Sequence, residues 1–302
     1  MIHLFALLSL LLCGVCYTGF QNSSHFHNTS NRRSLLLLVF GGALLLRLLL
    51  AYTTHGFSND IACFAAWADR IFTLGPGQFY SAEMFTDYPP GFMYVLYLIG
   101  ALRSLLQIPY YSDLHILLLK SPAILCDIAC GFLLYREAVK RLHFSDLQGI
   151  FAASAYLFQP AVILNSSCWG QVDSVYTLMI ILMCLFLMKG NLLPAYAVYG
   201  LGVLLKPQML IFTPVLLAGI WDHVFLQDFS WRKFFYNLCG GLVVICGMLL
   251  LCAPFGLTAA ISQYTSTLGS YEYAAINAYN FWGLLGTVSY THLRAHETCA
   301  DL

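Results

Sequence analysis

Long apolar runs, separated by short polar or basic segments, limit most strongly how this chain can fold. Most runs approach the roughly 17–25 residues that a helix needs to cross the ~30 Å hydrocarbon layer of a membrane. Apolar and aromatic residues make up 60% of the chain and charged residues only 9%, whereas a soluble domain carries about 25% charged residues. The chain is therefore predicted to be an all-α, polytopic membrane protein. Its net charge of zero argues against nucleic-acid binding.

Basic residues beside the apolar runs set the predicted orientation, because such residues stay on the cytoplasmic side of a membrane. Residues 1–20 are interpreted as an extra N-terminal span, and the linker after them ends in Arg32 and Arg33, so the next span runs outward. The basic run at 136–141 should also be cytoplasmic, which makes 91–107 an interfacial or re-entrant helix. The eight predicted spans are residues 1–20, 35–52, 114–135, 147–164, 174–188, 192–205, 208–221 and 235–254.

The segment 57–90 follows the second span and is therefore predicted to lie outside the cytoplasm. Within it, residues 61–72 mix apolar and aromatic residues with Asp69 and Arg70, which suits a helix lying flat on the bilayer. The alternating topology puts four polar clusters on this same side. They are Asp60 with Asp87, residues 169–174, residues 206–208 and residues 277–282. The resulting prediction is an active site that faces away from the cytoplasm, under a roof formed by residues 57–90.

Asp60 is the candidate catalytic base of that site. It follows a predicted span closely, so its carboxylate is expected at the membrane interface, where it can serve as a general base. The alternative is an ordinary helix cap, since Ser58, Asn59 and Asp60 precede the helical pattern of 61–72. The residues alone leave the two interpretations equally open.

The segment from Asp87 to Pro90 is a rigid start to the next apolar helix, because proline fixes the backbone and is favoured in a first helical turn. Tyr88 is a candidate for stacking on a sugar ring, and Asp87 is a candidate substrate-binding carboxylate. The alternative is a loop that simply closes onto the membrane surface.

Residues 169–174 combine an aromatic ring with hydrogen-bonding groups at the outer mouth between two spans. Gln171 and Asp173 offer the hydrogen bonds that a hydroxyl-rich ligand requires, and Trp169 offers a flat apolar face. The alternative is a capped start to the span at 174–188. Further candidate substrate contacts are Gln208 and Asn280.

Lys206 is the exception to the charge pattern, because it puts a cation on the outer side. A lysine there suits a phosphate group, which it binds as a point charge; the alternative is a lysine that snorkels at the end of a span. Arg47 and Arg103 are further phosphate candidates. Lys120 and Asp127 are seven residues apart on one face of a helix, and a packing role is predicted for them.

Cysteines and the C-terminal residues raise two separate questions. Most of the eleven cysteines lie in apolar runs and are interpreted as small apolar residues, while a disulfide between Cys63 and Cys168 is left open. Residues 288–302 become abruptly charged and rich in histidine. Those histidines, with Glu297 and Cys299, would suit a metal ion. The preferred interpretation is a non-native tail, so that the C-terminal part of the protein is expected to be missing.

With these residues in view, the chain resembles the GT-C superfamily, membrane glycosyltransferases that use lipid-phosphate sugars. More narrowly, it is similar to bacterial mannosyltransferases related to the second GPI mannosyltransferase. The resemblance covers residues 35–287, as an incomplete catalytic module after the 1–34 segment. It runs in order through NDIACFAAWADRIF, DYPPGFMYVLY, KSPAILCDIACGFLLYR, NSSCWGQVDSVYTL, LLKPQMLIFTP and NAYNFWGLLG.

The resemblance implies a catalytic acidic residue in the first extracytoplasmic loop, a position that Asp60 matches. An acidic-Tyr-Pro-Pro element of a related dolichol-pathway glucosyltransferase group is matched by residues 87–90. The chain departs from the family in lacking a paired Asp-x-Asp at residue 60. That departure leaves open whether a divalent cation, Mg²⁺ or Mn²⁺, takes part.

The implied function is inverting transfer of a hexose, with mannose expected, from a polyprenyl-phosphate sugar to a hydroxyl of a lipid or glycan acceptor. Asp60 would take the acceptor proton, and Lys206, Arg47 or a bound metal would stabilise the departing phosphate. The expected location is a bacterial-type cytoplasmic membrane, among its lipids. The alternatives are a transporter or lipid flippase, which predicts polar groups near mid-membrane and an internal repeat, and a non-catalytic scaffold.

Overall fold

The computed structural model describes residues 32–80, 85–227 and 229–269, with Gly14 and the residue pairs 275–276 and 288–289. In these ranges the regular elements are helices, apart from a parallel pairing of Ala275–Ile276 with Val288–Ser289. The α-helices are α1 (Arg32–Thr53), α2 (Ser58–Leu74), α3 (Pro90–Leu105), α4 (Asp113–Lys140), α5 (Asp146–Leu157), α6 (Pro160–Ile163), α7 (Asp173–Met188), α8 (Leu192–Leu205), α9 (Thr213–Trp221), α10 (Trp231–Cys252) and α11 (Leu257–Gly269). Shorter 3-10 or π turns cover Pro76–Gln78, Leu164–Trp169, Pro207–Phe212, Asp222–Leu226 and Ala253–Phe255.

The starts of several helices follow local sequence signals. α4 begins after Ser112, whose hydroxyl accepts a hydrogen bond from the His115 N–H at 3.4 Å. α5 begins with a complete capping box, in which Ser145 and Gln148 each accept the other's backbone N–H. Proline occupies the first turn of α3 and α6, where its missing N–H has no helical partner to lose. These caps explain why the helix boundaries lie close to the ends of the apolar runs.

Four helical segments are long and apolar enough to cross a membrane: Arg32–Thr53, Asp113–Lys140, Pro207–Leu226 and Trp231–Phe255. A fifth span is present if Asp146–Leu157 and Pro160–Trp169, which meet at a 52° bend, are taken as one. α3, α7 and α8 are apolar but shorter, with 16, 16 and 14 residues. The predicted all-helical class with membrane-length helices is confirmed among the described residues. The count of eight spans stays a prediction, and residues 1–20 lie outside the described residues.

Large apolar side chains that the fold leaves uncovered agree with a membrane environment. Leu38 of α1 is 70% exposed, and Val243 and Leu250 of α10 are 66% and 72% exposed. Soluble monomers rarely show contiguous apolar patches of more than a few hundred Å². In a bilayer such surfaces face lipid tails that are equally apolar.

α2 supplies much of the main apolar core by packing on α3. Ile61, Phe64 and Trp67 on its inner face are at most 2% exposed, and they belong to one buried cluster with Phe92 and Leu96 of α3. The sequence pattern predicted a helix that lies flat on the bilayer. Protein side chains cover its inner apolar face, so that face does not contact lipid, and the orientation of α2 relative to a membrane stays a prediction.

The close approach of α2 and α3 depends on Gly100. A Cβ atom at this position would lie 2.5 Å from the carbonyl oxygen of Ala68 and 2.8 Å from the Cβ of Phe72, both in α2. The nearest atom is backbone and cannot swing away as a flexible side chain would. Gly100 therefore sets the spacing between α3 and α2.

We expect Gly100→Ala to destabilise the protein by about 1–3 kcal/mol, the usual penalty for overpacking a tight core. Thermal unfolding in detergent micelles measures the effect. Gly41→Ala is the matched control, because no atom lies within 4 Å of a Cβ added at Gly41 in α1, and alanine is the better helix former. Equal stability of the two variants would contradict the described packing of α2 on α3.

Candidate active site

A cavity of about 690 Å³ lies between α2, the segment before α3, the turn before α7 and the segment after α8. Its volume falls in the range of roughly 300–1,000 Å³ that is typical of small-molecule sites. The wall brings together six of the site residues predicted from the sequence: Asp60, Asp87, Tyr88, Gln171, Lys206 and Gln208.

Asp60 lies on the cavity wall in the first turn of α2. Its Oδ2 atom accepts hydrogen bonds from Trp169 Nε1 at 3.0 Å and from Gln171 Nε2 at 2.5 Å. The helix-cap alternative is wrong for Asp60, because α2 begins after Phe57 and no side chain caps its start. Asp60 is therefore a half-buried carboxylate that two side chains from a distant part of the chain hold in place.

The turn that carries Trp169 is docked on the start of α2. The Phe57 N–H donates to the Trp169 carbonyl at 2.8 Å, and the two rings stack with centroids 4.9 Å apart. Gly170 then redirects the chain with a φ of +90°, a conformation that glycine adopts readily. A Cβ at Gly170 would lie 2.6 Å from Ile61 Cδ1 and 3.3 Å from Lys120 Cε. The position therefore needs glycine both for its backbone and for its space.

Lys120, in α4, holds the other side of this turn. Its ammonium group is buried and donates to the carbonyl oxygens of Ser167 at 2.9 Å, Ala51 at 3.2 Å and Thr54 at 2.7 Å. The Thr54 hydroxyl lies at 3.1 Å as a fourth acceptor. A buried ammonium group is costly unless hydrogen bonds replace its water. Lys120 therefore ties the end of α1 to the turn that carries the donors to Asp60.

Lys206 provides the cation of the cavity wall. It forms an ion pair with Asp173, and the other oxygen of Asp173 accepts a hydrogen bond from Asn165 Nδ2 at 3.0 Å. Its ammonium nitrogen lies 5.7 Å from the ring centre of Tyr88 and 5.6 Å from that of Tyr176, as in cation–π contacts. Only 11% of the Lys206 side chain is exposed. Protein groups thus hold the charge inside the site, which does not fit a lysine that snorkels into water.

Aromatic side chains line the part of the wall near Asp60. Phe64, Trp67 and Tyr88 contact one another with ring centroids 5.5–5.7 Å apart. The Tyr88 hydroxyl donates to Gln171 Oε1 at 3.4 Å, while Gln171 Nε2 donates to Asp60. Gln171 therefore couples the position of the catalytic candidate to that of the aromatic wall.

Two of the predicted residues contact residues of the cavity wall but do not line the cavity themselves. Trp169 donates to Asp60, and Asp173 pairs with Lys206. Neither is among the residues that line the cavity. Asn280, the remaining predicted contact, lies outside the described residues.

Arg47, predicted as a phosphate ligand, is placed elsewhere. It is fully buried, and its Nε donates to Asp127 Oδ2 at 3.0 Å. Asp127 also accepts a hydrogen bond from the Ser174 hydroxyl. The other arginine candidate, Arg103, pairs with Asp69. Both guanidinium groups are thus committed to carboxylates, and neither residue lines the cavity.

The neighbours of the site that were not predicted include Cys63 and Trp67 on the wall, and Asn165 beside Asp173. The first two had a sequence signal, because positions i+3 and i+7 from Asp60 share its face of a helix. Asn165 had none, since its contact with Asp173 depends on the intervening turn.

The described residues contain no group of three His, Cys, Asp or Glu side chains placed to hold a metal ion. The carboxylates on the cavity wall are those of Asp60 and Asp87. A site built from three such protein ligands is therefore absent from the described ranges, and the proposal below is argued from the protein's own side chains. The histidines of the 288–302 segment lie outside the described residues. Cys63 and Cys168 are free thiols, so the structure does not form the disulfide left open by the sequence.

A separate cavity of about 400 Å³ lies between α8, α9 and α10. Its lining is almost wholly apolar and contains no carboxylate and no basic side chain. It lacks the groups that acid–base or phosphate chemistry requires, so the candidate active site is the larger, polar cavity.

No family model matches the chain, and no curated protein shows significant similarity to it. A functional assignment must therefore be argued from the cavity itself. Its distinctive combination is a fixed carboxylate, an enclosed lysine and an aromatic wall.

Cys63 offers a probe of the charges in the cavity. Burial, and then the carboxylates of Asp87 and Asp60, raise the pKa of the Cys63 thiol above its ordinary value. Because alkylation requires the thiolate, its rate at Cys63 should rise with pH through a midpoint above that of a cysteine in an unstructured, uncharged peptide. Mass spectrometry after treatment with iodoacetamide at a series of pH values measures this midpoint.

The carboxylate contribution can be tested in the same assay. Asp87→Asn should shift the alkylation midpoint of Cys63 to lower pH, and by more than Asp60→Asn does, because Asp87 contributes more strongly. A midpoint equal to that of the peptide cysteine, or one that neither variant moves, would contradict the described surroundings of Cys63.

Lys120→Met should destabilise the protein by about 1–3 kcal/mol, because the buried carbonyl oxygens that it serves lose their donor. The midpoint of thermal unfolding measures the loss. Lys233→Met, at an exposed position of α10, makes the same chemical change without these contacts and should have little effect. If both variants unfold at the same temperature, Lys120 does not anchor the turn.

Proposed function

We propose that this cavity transfers a hexose from a polyprenyl-phosphate sugar to a hydroxyl group of a lipid or glycan acceptor, with inversion at the anomeric carbon. The observation that carries the proposal is a carboxylate, Asp60, fixed by two donors in a 690 Å³ cavity that also contains Lys206. The resemblance to GT-C glycosyltransferases, in which an acidic residue of the first outer loop is catalytic, supports the same assignment.

Asp60 is suited to act as the general base. Oδ2 is held by Trp169 and Gln171, and none of the described residues donates a hydrogen bond to Oδ1. Oδ1 is thus available to an acceptor hydroxyl. As the acceptor oxygen attacks the anomeric carbon, its proton passes to Asp60. In an inverting reaction the base and the leaving group lie on opposite faces of the sugar.

Lys206 is suited to bind the phosphate of the donor. The bond from the anomeric carbon to the phosphate oxygen breaks with its electron pair, so the phosphate gains negative charge as it leaves. A lysine ammonium has three donors. The pair with Asp173 orients the Lys206 side chain and leaves further N–H groups for a phosphate oxygen.

The remaining wall residues are suited to hold the sugar. Tyr88 presents an aromatic ring, on which the apolar face of a hexose can stack, and Gln208 and Asp87 offer partners for its hydroxyl groups. Such binding positions the anomeric carbon between base and phosphate, and positioning contributes strongly to enzymatic rates.

The polarity of the helices supports an extracytoplasmic location for the site. α1 begins at Arg32 and Arg33, and α4 ends at Lys140 and Arg141. The cavity is built near the opposite ends of both helices, where Lys120 contacts Thr54. Basic ends are retained in the cytoplasm, so we propose that the site faces away from it, in the manner of a bacterial cytoplasmic-membrane enzyme.

Asp60→Asn tests the proposal. Loss of a general base should lower turnover by about 10²–10⁴-fold, while the protein still folds because an amide oxygen can accept the same two hydrogen bonds. Purified protein would be supplied with polyprenyl-phosphate mannose or polyprenyl-phosphate glucose, and release of the sugar to an acceptor or to water would be measured.

Asp113→Asn is the matched control, since this exposed carboxylate lies at the start of α4 and does not line the cavity. It should retain the activity of the unaltered protein. Undiminished transfer by the Asp60 variant would remove Asp60 from the role of base. Absence of transfer from either donor by the unaltered protein would overturn the proposed function.

A further inference from the structure

A second polar cavity, of about 490 Å³, lies at the C-terminal ends of α4 and α7. α7 begins at Asp173 beside the candidate active site, so its other end is roughly 22 Å away along the helix, at 1.5 Å per residue. The cavity therefore belongs to the opposite side of the molecule. Its lining consists of Arg136, Glu137, Lys140, Arg141, Met188 and Lys189.

The charges around this cavity are unbalanced. Four basic residues face a single carboxylate, Glu137, which pairs with Arg136 at 2.8 Å and with Lys189 at 3.8 Å. Among the described residues, no carboxylate lies within ion-pair distance of Lys140 or Arg141, and both are exposed. The cavity thus carries an excess of positive charge that two helices bring together, and an anion is the complementary ligand.

An exposed apolar stripe leads to the basic cavity along the same face of α4. Leu125 is 63% exposed and Phe132 is 51% exposed. Leu125, Phe132 and Arg136 follow one another at intervals of seven and four residues, which places them in line on a helix. Met188 on the cavity wall is also 57% exposed. A ligand lying along this surface would contact apolar side chains at one end and basic side chains at the other.

We propose that this surface binds an anionic phospholipid of the cytoplasmic leaflet. The phosphate would lie among Lys140, Arg141 and Lys189, and an acyl chain would follow Phe132 and Leu125. The charge complements an acidic headgroup, and the apolar stripe complements the chains that a free phosphate ion lacks. Clusters of basic residues at the cytoplasmic ends of helices attract acidic lipids, at about 1 kcal/mol for each residue near the surface.

The proposal does not depend on the proposed glycosyl transfer. Basic residues in general prefer the cytoplasmic side of a membrane, but that preference does not predict a cavity. The proposed lipid site is more specific, because the ends of two helices together form a cavity lined by basic residues. Arg232, at the start of α10, provides the comparison: it is a basic, exposed residue next to a span but does not line this cavity.

The test is binding of phosphatidylglycerol to the full chain in detergent micelles, followed by native mass spectrometry and by the midpoint of thermal unfolding. Phosphatidylglycerol should bind and raise the midpoint, whereas phosphatidylcholine and inorganic phosphate should not. The double variant Lys140→Gln/Arg141→Gln should bind phosphatidylglycerol on the order of 10–30-fold more weakly. The single variant Lys140→Gln, at an exposed position, should show part of this loss of affinity. It replaces the double variant in the test if the double variant does not fold.

The matched control is Arg33→Gln/Arg232→Gln, which removes the same charge from exposed positions outside this cavity. It should bind phosphatidylglycerol as the unaltered protein does. Equal weakening in both double variants would show a general charge effect and overturn the site. Equal stabilisation by phosphatidylcholine, or by inorganic phosphate alone, would overturn the assignment to an acidic phospholipid.

Discussion

The hydrogen bonds of the buried Lys120 ammonium group are the interaction on which the candidate site depends. They join α4 to the end of α1 and to the turn at Leu164–Trp169, three parts of the chain that are far apart in sequence. That turn presents Trp169 and leads to Gln171, the two donors that fix Asp60. A buried cation tolerates little displacement of its oxygen partners, because an unsatisfied ammonium group in an apolar interior is costly. The geometry around Asp60 thus depends on the Lys120 ammonium group, although Lys120 does not line the cavity.

A second buried charged residue, Asp127, lies two helical turns after Lys120 in α4 and also contacts the 165–174 segment. Asp127 pairs with Arg47 of α1 and accepts from Ser166 and Ser174. Ser174 directly follows Asp173, the partner of Lys206. Ionisable groups at membrane depth are rare and usually have a specific role. Lys120 contacts Ser167, and Asp127 contacts Ser166 and Ser174, so α4 holds this segment at both ends. The neighbours of Asp60 and the partner of Lys206 are thereby positioned by one helix.

Much of this arrangement could be predicted from the sequence, and the reason differs for each part. The helices follow from apolar runs and local caps, so α1, α4, α7 and α8 lie within a few residues of the predicted spans. The gathering of Asp60, Gln171 and Lys206 at one cavity followed from alternation of spans, which needs no knowledge of packing. The contacts between individual side chains that are far apart in the sequence could not be predicted in this way. Arg47 was predicted to bind phosphate because its actual partner, Asp127, is 80 residues away in the sequence and could not be identified from it. The apolar face of α2 is covered by α3, and hydrophobic periodicity alone does not show whether such a face contacts protein or lipid.

The charges of the cavity also bear on which donor it suits. Its wall carries the carboxylates of Asp60 and Asp87 and the ammonium group of Lys206, which Asp173 already shares. A polyprenyl-phosphate sugar is a phosphodiester with one negative charge, which matches one shared lysine, whereas a sugar diphosphate would bring a second charge close to two carboxylates. In the proposed transfer the leaving phosphate would gain a charge while Asp60 takes up a proton, so the total charge of the site would stay constant. Once Asp60 returned its proton to water, the carboxylates would again repel the polyprenyl phosphate. The residues proposed to assist the reaction would thereby also favour release of the lipid product.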